Sequence, residues 1–562
     1  MPRFCFDRRG GHTPPMAPPE SQTAHIADRL ALALLAIAAI VALASFRDYG
    51  LGWDDYTHAE YGDLLLSFYA SGLADRRALS WVNLYEYGGG FDLAAALLAK
   101  ISPFSLFETR RLTGAIVGLL GLLIVWRTGR RVGGPLAGFI ALALLAACPL
   151  FIGHAFVNAK DAPFAVAMAF LLFGLVRAFE EYPRPGAATV ALVGLGAGLA
   201  IGTRILGGFG ALYALGALAL IVAIEARRDG LRTAAAACGR FALRLLPGLL
   251  LGYAAMALVW PWAAAEPLNP FRALQYFSRF FEEPWDELFG GALIKATQMP
   301  RGYLPTLLAL KLPELFGALA AGGFAGALVG ACRGGNDPNR RAVLLLVALA
   351  AALPVAIAVA MRPAMYNGVR HFLFVVPPLA VAGGLAGAWL FDALRRRGHL
   401  AAIAAAAVFV VGLAVPVVDM VRVHPYEYTS FNRLAGGVRA ARDRYMLDYW
   451  GLSLKQASQG LAARIAELKL QKPKDQLKDR RWKLAVCGHH RSPQVELGAD
   501  FETTWDPKGA DFAMMLGEFY CRKFDAPVLV EVTRDGVVYA RVYDIRGRSY
   551  DTLLTQPGLT AK

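Results

Sequence analysis

The feature that most limits what this chain can become is a succession of apolar runs, each close to the roughly 20 residues a helix needs to cross a bilayer core. Eleven such runs lie near residues 29–46, 111–127, 133–151, 161–178, 187–202, 205–225, 241–263, 303–331, 342–361, 371–391 and 400–419. Of 562 residues, 56% are hydrophobic and only 18% charged, which argues against an ordinary soluble domain and for a polytopic α-helical membrane protein. An odd number of spans places the two termini on opposite sides.

Orientation follows from charge. The short connections "RTGRR" (127–131), "EARRDGLR" (225–232), "RGGNDPNRR" (333–341) and "RRRGH" (395–399) all fall on one side of an eleven-span arrangement, the side that holds the N-terminus. Short basic loops mark the cytoplasm. Residues 1–28, polar and proline-rich, then read as an uncleaved cytoplasmic tail, since the apolar run after them lacks a small-residue cleavage site. The membrane domain covers 29–419, with outer loops at 47–110 and 264–302 and an extracytoplasmic tail at 420–562. A formal charge of +15 would suggest nucleic acid for a soluble protein; here the arginines serve topology, so membrane lipids are the expected partners and nucleic acid is not.

The first outer loop contains two amphipathic stretches, "YGDLLLSFYASGL" and "GGGFDLAAALLAKI", suited to helices lying in the membrane interface. The loop at 264–302 has the same character and carries aromatic residues that favour the headgroup level. In the tail, "LSLKQASQGLAARIAELKL" (452–470) reads as a helix, and "VLVEVTRDGVVYARVYD" (528–544) as two strands turning at Asp535 and Gly536, so a small α/β domain is expected. Only two of the six cysteines, Cys487 and Cys521, lie there. In an oxidising compartment they are either a disulfide or two buried thiols.

Polar clusters recur at the outer ends of spans. They are Asp54 and Asp55, "GHAFVNAKDAPF" (153–164, with His154, Asn158, Lys160 and Asp161), "GTRILGG" (202–208, with Arg204) and "RPAMYNGVRHFLF" (362–374, with Arg370 and His371). Taken singly, each has an ordinary explanation: Lys160 snorkels, Asp161 caps a helix, Arg204 pairs with a carboxylate. Together they describe a cavity with an acidic and a cationic region. That suits a phosphate leaving group held by cations while a carboxylate receives a proton from an attacking hydroxyl. Hard oxygen ligands also suit a divalent ion such as Mg²⁺ or Mn²⁺. A transporter or flippase, or a membrane scaffold with a binding tail, would use the same composition. A transporter, however, concentrates charge near the midplane and often shows repeat symmetry.

The acidic pair after the first span, the large first outer loop, about eleven spans and an outer soluble tail resemble the GT-C glycosyltransferases. The likeness is to the branch with protein O-mannosyltransferases and aminoarabinose transferases. "YEYGGGFDLAA" (85–95), "NAKDAPFA" (158–165), "GTRILGG", "VRHFLFVVPPLAVAGG" (369–384), "HPYEYTSFNRLAGG" (424–437) and "DYWG" (448–451) resemble a bacterial subgroup of it. The resemblance implies an integral inner-membrane enzyme with a GT-C-like fold. Such an enzyme moves a sugar, with inversion, from a polyprenyl-phosphate donor to a lipid, polysaccharide or protein acceptor. It also implies that Asp54 or Asp55 is the general base, and that Glu86 or Asp92 helps to bind metal or acceptor, with Asp55 and Glu86 the candidate metal ligands. Lys160, Arg204 and Arg370 are phosphate candidates by charge and location, with His154, Asn158, Asp161 and His371 beside them. Neighbouring residues in an extended segment point in opposite directions, so only one aspartate faces the hydroxyl. Asp55, farther from the span, is the favoured one.

Overall fold

The structure, a computed structural model, describes residues 22–278, 285–335, 337–471, 474–475 and 478–553. Most of the expected N-terminal tail and a short part of the 264–302 loop lie outside the described residues. Nine helices among them are long and apolar enough to cross a membrane. One, Leu106–Ala146, is two helices joined at Gly134, whose φ of 85° leaves the helical region just before Pro135. Proline lacks the N–H and crowds the preceding turn, so the break falls there. With that division, and with the shorter Ala187–Thr203 counted, the eleven expected spans are all helical. The expected span 303–331 is itself interrupted, as Tyr303–Lys311 and Glu314–Cys332 flank Pro313.

Small residues let the spans approach closely. A Cβ on Gly194 would sit 1.9 Å from the Gly248 carbonyl oxygen, so Ala187–Thr203 and Leu231–Val259 touch backbone to backbone. The outermost helices expose leucine and valine, for example Leu250 and Val411. Asp161–Glu180 instead sits inside the bundle, with Phe164, Val176 and Phe179 fully buried.

The two ends of the bundle are distinct. At one end Arg130 holds Asp28 with two bonds of 2.8 Å, Arg131 pairs with Glu180, and Asn339 Nδ2 donates to the carbonyls of Glu180 (3.2 Å) and Tyr182 (3.1 Å). Two of the basic connections thus meet residues of their own end. The opposite end carries the first loop, the hairpin and the tail.

In the first loop both amphipathic stretches are helical, as Asp55–Ala70 and Gly90–Ala99. The 264–302 loop departs from expectation. After the helix Asn269–Ser278 it forms a β-hairpin, Asp286–Phe289 with Ala292–Lys295, turning at Gly290 and Gly291, which both adopt positive φ. Consecutive glycines take that turn at no steric cost.

The tail forms a five-stranded sheet in the order Phe501–Thr504, Trp482–Cys487, Phe512–Leu516, Val537–Asp544, Val528–Arg534. The first three strands are parallel and the last two form the expected antiparallel hairpin, with Asp535 and Gly536 at positive φ in its turn. The expected helix is Leu454–Glu467. Cys487 and Cys521 are disulfide-bonded, with Cα atoms 5.7 Å apart. Tyr539 of the sheet meets Thr429 at 2.8 Å, fixing the tail to the chain that leaves the last span.

Candidate active site

The acidic pair lies at a helix start, not in an extended segment. Asp55 is the first residue of its helix and turns inward, where it is buried. Its carboxylate accepts from the Gly52 N–H at 2.6 Å and holds Arg111 in a two-pronged ion pair, one bond of which is 3.0 Å. Asp54, one position earlier, makes no capping bond. Its Oδ2 lies 3.2 Å from Lys160 Nζ. Burial pushes the Asp54 carboxyl up, but Lys160 and then Arg370 outweigh it and hold the group well below the usual carboxylate range.

Asp54 opens onto a cavity of about 730 Å³. His58, Lys160 and Arg370 also line it, and its walls carry Trp53, Tyr87, Trp285, Tyr366, Tyr449, Trp450, Phe519 and Tyr520. The last four come from the tail, so the soluble domain closes a site begun by the membrane helices. Arg370 is 4% exposed, stacks over Tyr366 at 4.7 Å, and among the described residues leaves Nε and Nη1 without hydrogen-bond partners. Lys160 sits over Tyr87 at 5.2 Å.

The remaining expected residues support this cavity from behind. Asp161 is buried between Arg204 at 2.6 Å and Arg370 at 3.7 Å. Arg204 is therefore committed to Asp161 and stacks over Tyr87 at 5.4 Å. Asn158 Oδ1 accepts from the N–H groups of Lys160 (3.0 Å) and Asp161 (2.7 Å), so it caps the helix that presents both. His154 is fully buried against Trp450, 3.4 Å from the Tyr449 hydroxyl, behind the cavity wall. His371 packs edge-on to Tyr366. Asp92 is buried between His58 Nδ1 at 2.6 Å and Arg110 Nη2 at 2.7 Å.

The expected metal pair does not assemble. The Asp55 oxygens are occupied by Arg111 and Gly52. Glu86 is buried away from the cavity lining, and burial pushes its carboxyl up, toward the neutral acid, which is a poor ligand. Among the described residues no group of three or more His, Cys, Asp or Glu side chains converges as an ion site. Asp55 and Glu86 as placed therefore do not fit Mg²⁺ or Mn²⁺ as a pair.

Residues 90–261 match the family described as dolichyl-phosphate-mannose-protein mannosyltransferase. Those residues are similar to that family, and the rest of the chain lies outside the match. Similar solved structures include ArnT from Cupriavidus metallidurans bound to undecaprenyl phosphate (18% identity, 93% of this chain and 98% of that one, TM-score 0.46). AglB from Archaeoglobus fulgidus, in complex with an inhibitory peptide and a dolichol-phosphate, is similar at 17% identity over 85% of this chain and 64% of that one, TM-score 0.47. Arabinofuranosyltransferase AftD from Mycobacteria is similar at 15% identity over 93% and 42%, TM-score 0.41. No curated protein sequence matches the chain. The family match spans Asp92, Lys160, Asp161 and Arg204, whereas Asp54, Arg370 and the tail wall lie outside it.

Sequence reasoning missed His58, Arg110, Arg111 and the aromatic wall of the tail. His58 had a readable signal: it stands one helical turn after Asp54 in an amphipathic stretch.

Proposed function

We propose that this chain is a glycosyltransferase that moves a sugar from a polyprenyl-phosphate carrier to a hydroxyl of a lipid, polysaccharide or protein acceptor, at the outer face of the cytoplasmic membrane. The observation that carries this reading is Arg370, a buried guanidinium on the cavity lining whose Nε and Nη1 make no hydrogen bond among the described residues, Asp161 at 3.7 Å being only a loose ion-pair partner. An unpaired buried charge-bearing donor is costly, and a phosphate oxygen entering the cavity would satisfy it with the geometry arginine favours. Lys160 on the same cavity adds a second cation.

When the bond between anomeric carbon and phosphate oxygen breaks, negative charge grows on the phosphate. Arg370 and Lys160 stabilise it in a site with little water. Asp54, an anion in the same cavity, stabilises the positive charge that develops on the anomeric carbon and orients the incoming hydroxyl. Asp55 does neither, because it is spent on Arg111. The aromatic walls offer flat faces to the sugar ring. A single displacement of this kind inverts the anomeric centre. The outer location rests on the basic connections gathering at the opposite end, and it places the N-terminus in the cytoplasm and the disulfide-bonded tail outside.

The test uses full-length protein in proteoliposomes with undecaprenyl-phosphate-linked sugars. Asp54→Asn should lower turnover by about 10²–10³-fold at matched amounts of inserted protein, and Arg370→Gln should weaken undecaprenyl phosphate binding at least about tenfold, the loss of one charge-assisted bond. Variants that both stay within about threefold of the parent in binding and turnover would remove the reading.

A further inference from the structure

His58 is left with chemistry that the account above does not use. Its Nδ1 lies 2.6 Å from Asp92 Oδ2, and the other oxygen of Asp92 holds Arg110 at 2.7 Å. A carboxylate engaged by an arginine has no proton to donate, so the ring proton belongs on Nδ1 and the Nε2 lone pair is free. Nε2 is buried and has no hydrogen-bond partner. His58 nevertheless lines the cavity, as does Asp54, and the His58 N–H bonds to the Asp54 carbonyl at 3.1 Å, one helical turn back. An acceptor lone pair is thus held buried beside the cavity that His58 lines, with its tautomer fixed from behind and no donor among the described residues to satisfy it. Asp54 is differently placed. Its carboxylate is ion-paired to Lys160, and taking up a proton would break that pair.

We propose that His58 Nε2 takes the proton from the acceptor hydroxyl, and that Asp92 is the positioning residue that fixes its tautomer. The inference rests on the glycosyl-transfer reading and identifies the base within it. As the hydroxyl oxygen bonds to the anomeric carbon, the O–H proton passes to Nε2. The bond from the anomeric carbon to the phosphate oxygen breaks with its electron pair leaving on the polyprenyl phosphate. The resulting imidazolium is stabilised through Nδ1–H by the Asp92 carboxylate, and its proton later returns to water through the cavity.

The test compares the parent, His58→Gln, His58→Ala, Asp92→Asn and Asp54→Asn in proteoliposomes. Undecaprenyl phosphate binding is measured by native mass spectrometry. Turnover is measured as sugar release from a panel of undecaprenyl-phosphate-linked hexoses and pentoses, with water as the acceptor. His58→Gln should bind undecaprenyl phosphate within about threefold of the parent and lose about 10²–10⁴ in turnover. Added imidazole should restore part of the activity of His58→Ala, which a merely structural histidine would not allow. The charged and titratable groups about His58 are Asp92, with Arg110 and Tyr61 acting on it, the Asp54–Lys160 pair, and, on the same cavity, Arg370 and His489. Losing the Asp92 charge removes stabilisation of the imidazolium, so in Asp92→Asn the acid limb of the pH–rate profile should move to lower pH. It should vanish in His58→Gln and persist in Asp54→Asn. If His58→Gln keeps turnover within tenfold, or if imidazole fails to rescue His58→Ala while the acid limb vanishes only in Asp54→Asn, the base is not His58. Should His58→Gln fail to insert, the direction of the limb in Asp92→Asn decides. A parent that neither binds undecaprenyl phosphate nor releases any sugar sinks the glycosyl-transfer reading itself.

Discussion

The two ends of the membrane bundle both carry arginines and carboxylates, yet they are built to different rules. At the end that carries the basic connections the pairs close on one another at the edge of the bundle: Arg130 and Asp28 meet at 2.8 Å with side chains 34% and 21% exposed. At the cavity end Arg111–Asp55 and Arg110–Asp92 are almost wholly buried, with side chains no more than 4% exposed. Arg370 and His58, equally buried, keep nitrogens without hydrogen-bond partners among the described residues. The charges at the first end keep part of their solvent. Those at the cavity end have lost it and have gained only part of what they lost, which is the condition of a site prepared for a ligand.

The largest contrast lies between neighbours. Asp54→Asn should cost turnover while leaving the unfolding temperature near that of the parent, because Asp54 is partly exposed and holds only Lys160. Asp55→Asn should do the reverse. It leaves Arg111 buried without its charge partner, and breaking a buried pair costs about 3–5 kcal/mol. Thermal unfolding in detergent, beside turnover at matched folded protein, separates them. Equal stability loss for both variants would break the division of labour.

That division was not legible in the sequence. The spans were, because twenty apolar residues in a row admit few alternatives, and so was the tail hairpin, because Asp535 and Gly536 suit a turn needing positive φ. Choosing between Asp54 and Asp55 depends on where a helix begins, to the residue, and on Arg111, a partner 56 positions away. An extended segment and a helix start separate the two aspartates equally well, but they send opposite members inward. The cationic residues were found by type and by end. Their roles split on contacts that no spacing reveals: Arg204 is consumed by Asp161, whereas Arg370 faces the cavity. The wall of Tyr449, Trp450, Phe519 and Tyr520 arrives from a domain some 400 residues beyond the acidic pair, so only the fold assembles it.

The cavity end should also be the pH-sensitive one. Glu518, adjacent to the wall residue Phe519, is buried and accepts from the N–H groups of Leu447 (3.0 Å) and Asp448 (2.7 Å), which lead into Tyr449 and Trp450. Burial, reinforced by Asp448, pushes its carboxyl up to about 8. The folded tail therefore holds this proton while the unfolded chain, near the ordinary value of about 4.3, has released it. The stabilising contribution is complete below the unfolded value and is lost as pH rises toward 8, with a slope of at most about 1.4 kcal/mol per pH unit. Glu518→Gln should flatten that slope in unfolding measured from pH 5 to 8. An unchanged slope would mean that the wall is not held by a neutral acid.

The smallest effect is expected at the end that carries the basic connections, and it is the control on the comparison. Asp28→Asn removes the partner of Arg130, as Asp55→Asn removes the partner of Arg111, and by charge count the two substitutions are equivalent. They differ in what surrounds the orphaned arginine. Arg130 is about one-third exposed and can turn to water or to lipid phosphates, so the pair should be worth no more than about 1 kcal/mol. Membrane orientation should hold as well, since the positive charges that direct it remain in place and acidic residues contribute little. Turnover, undecaprenyl phosphate binding and unfolding temperature should all stay close to the parent. If Asp28→Asn instead destabilises as strongly as Asp55→Asn, burial does not distinguish the two ends, and the unpartnered nitrogens of Arg370 and His58 lose their meaning as marks of a binding site.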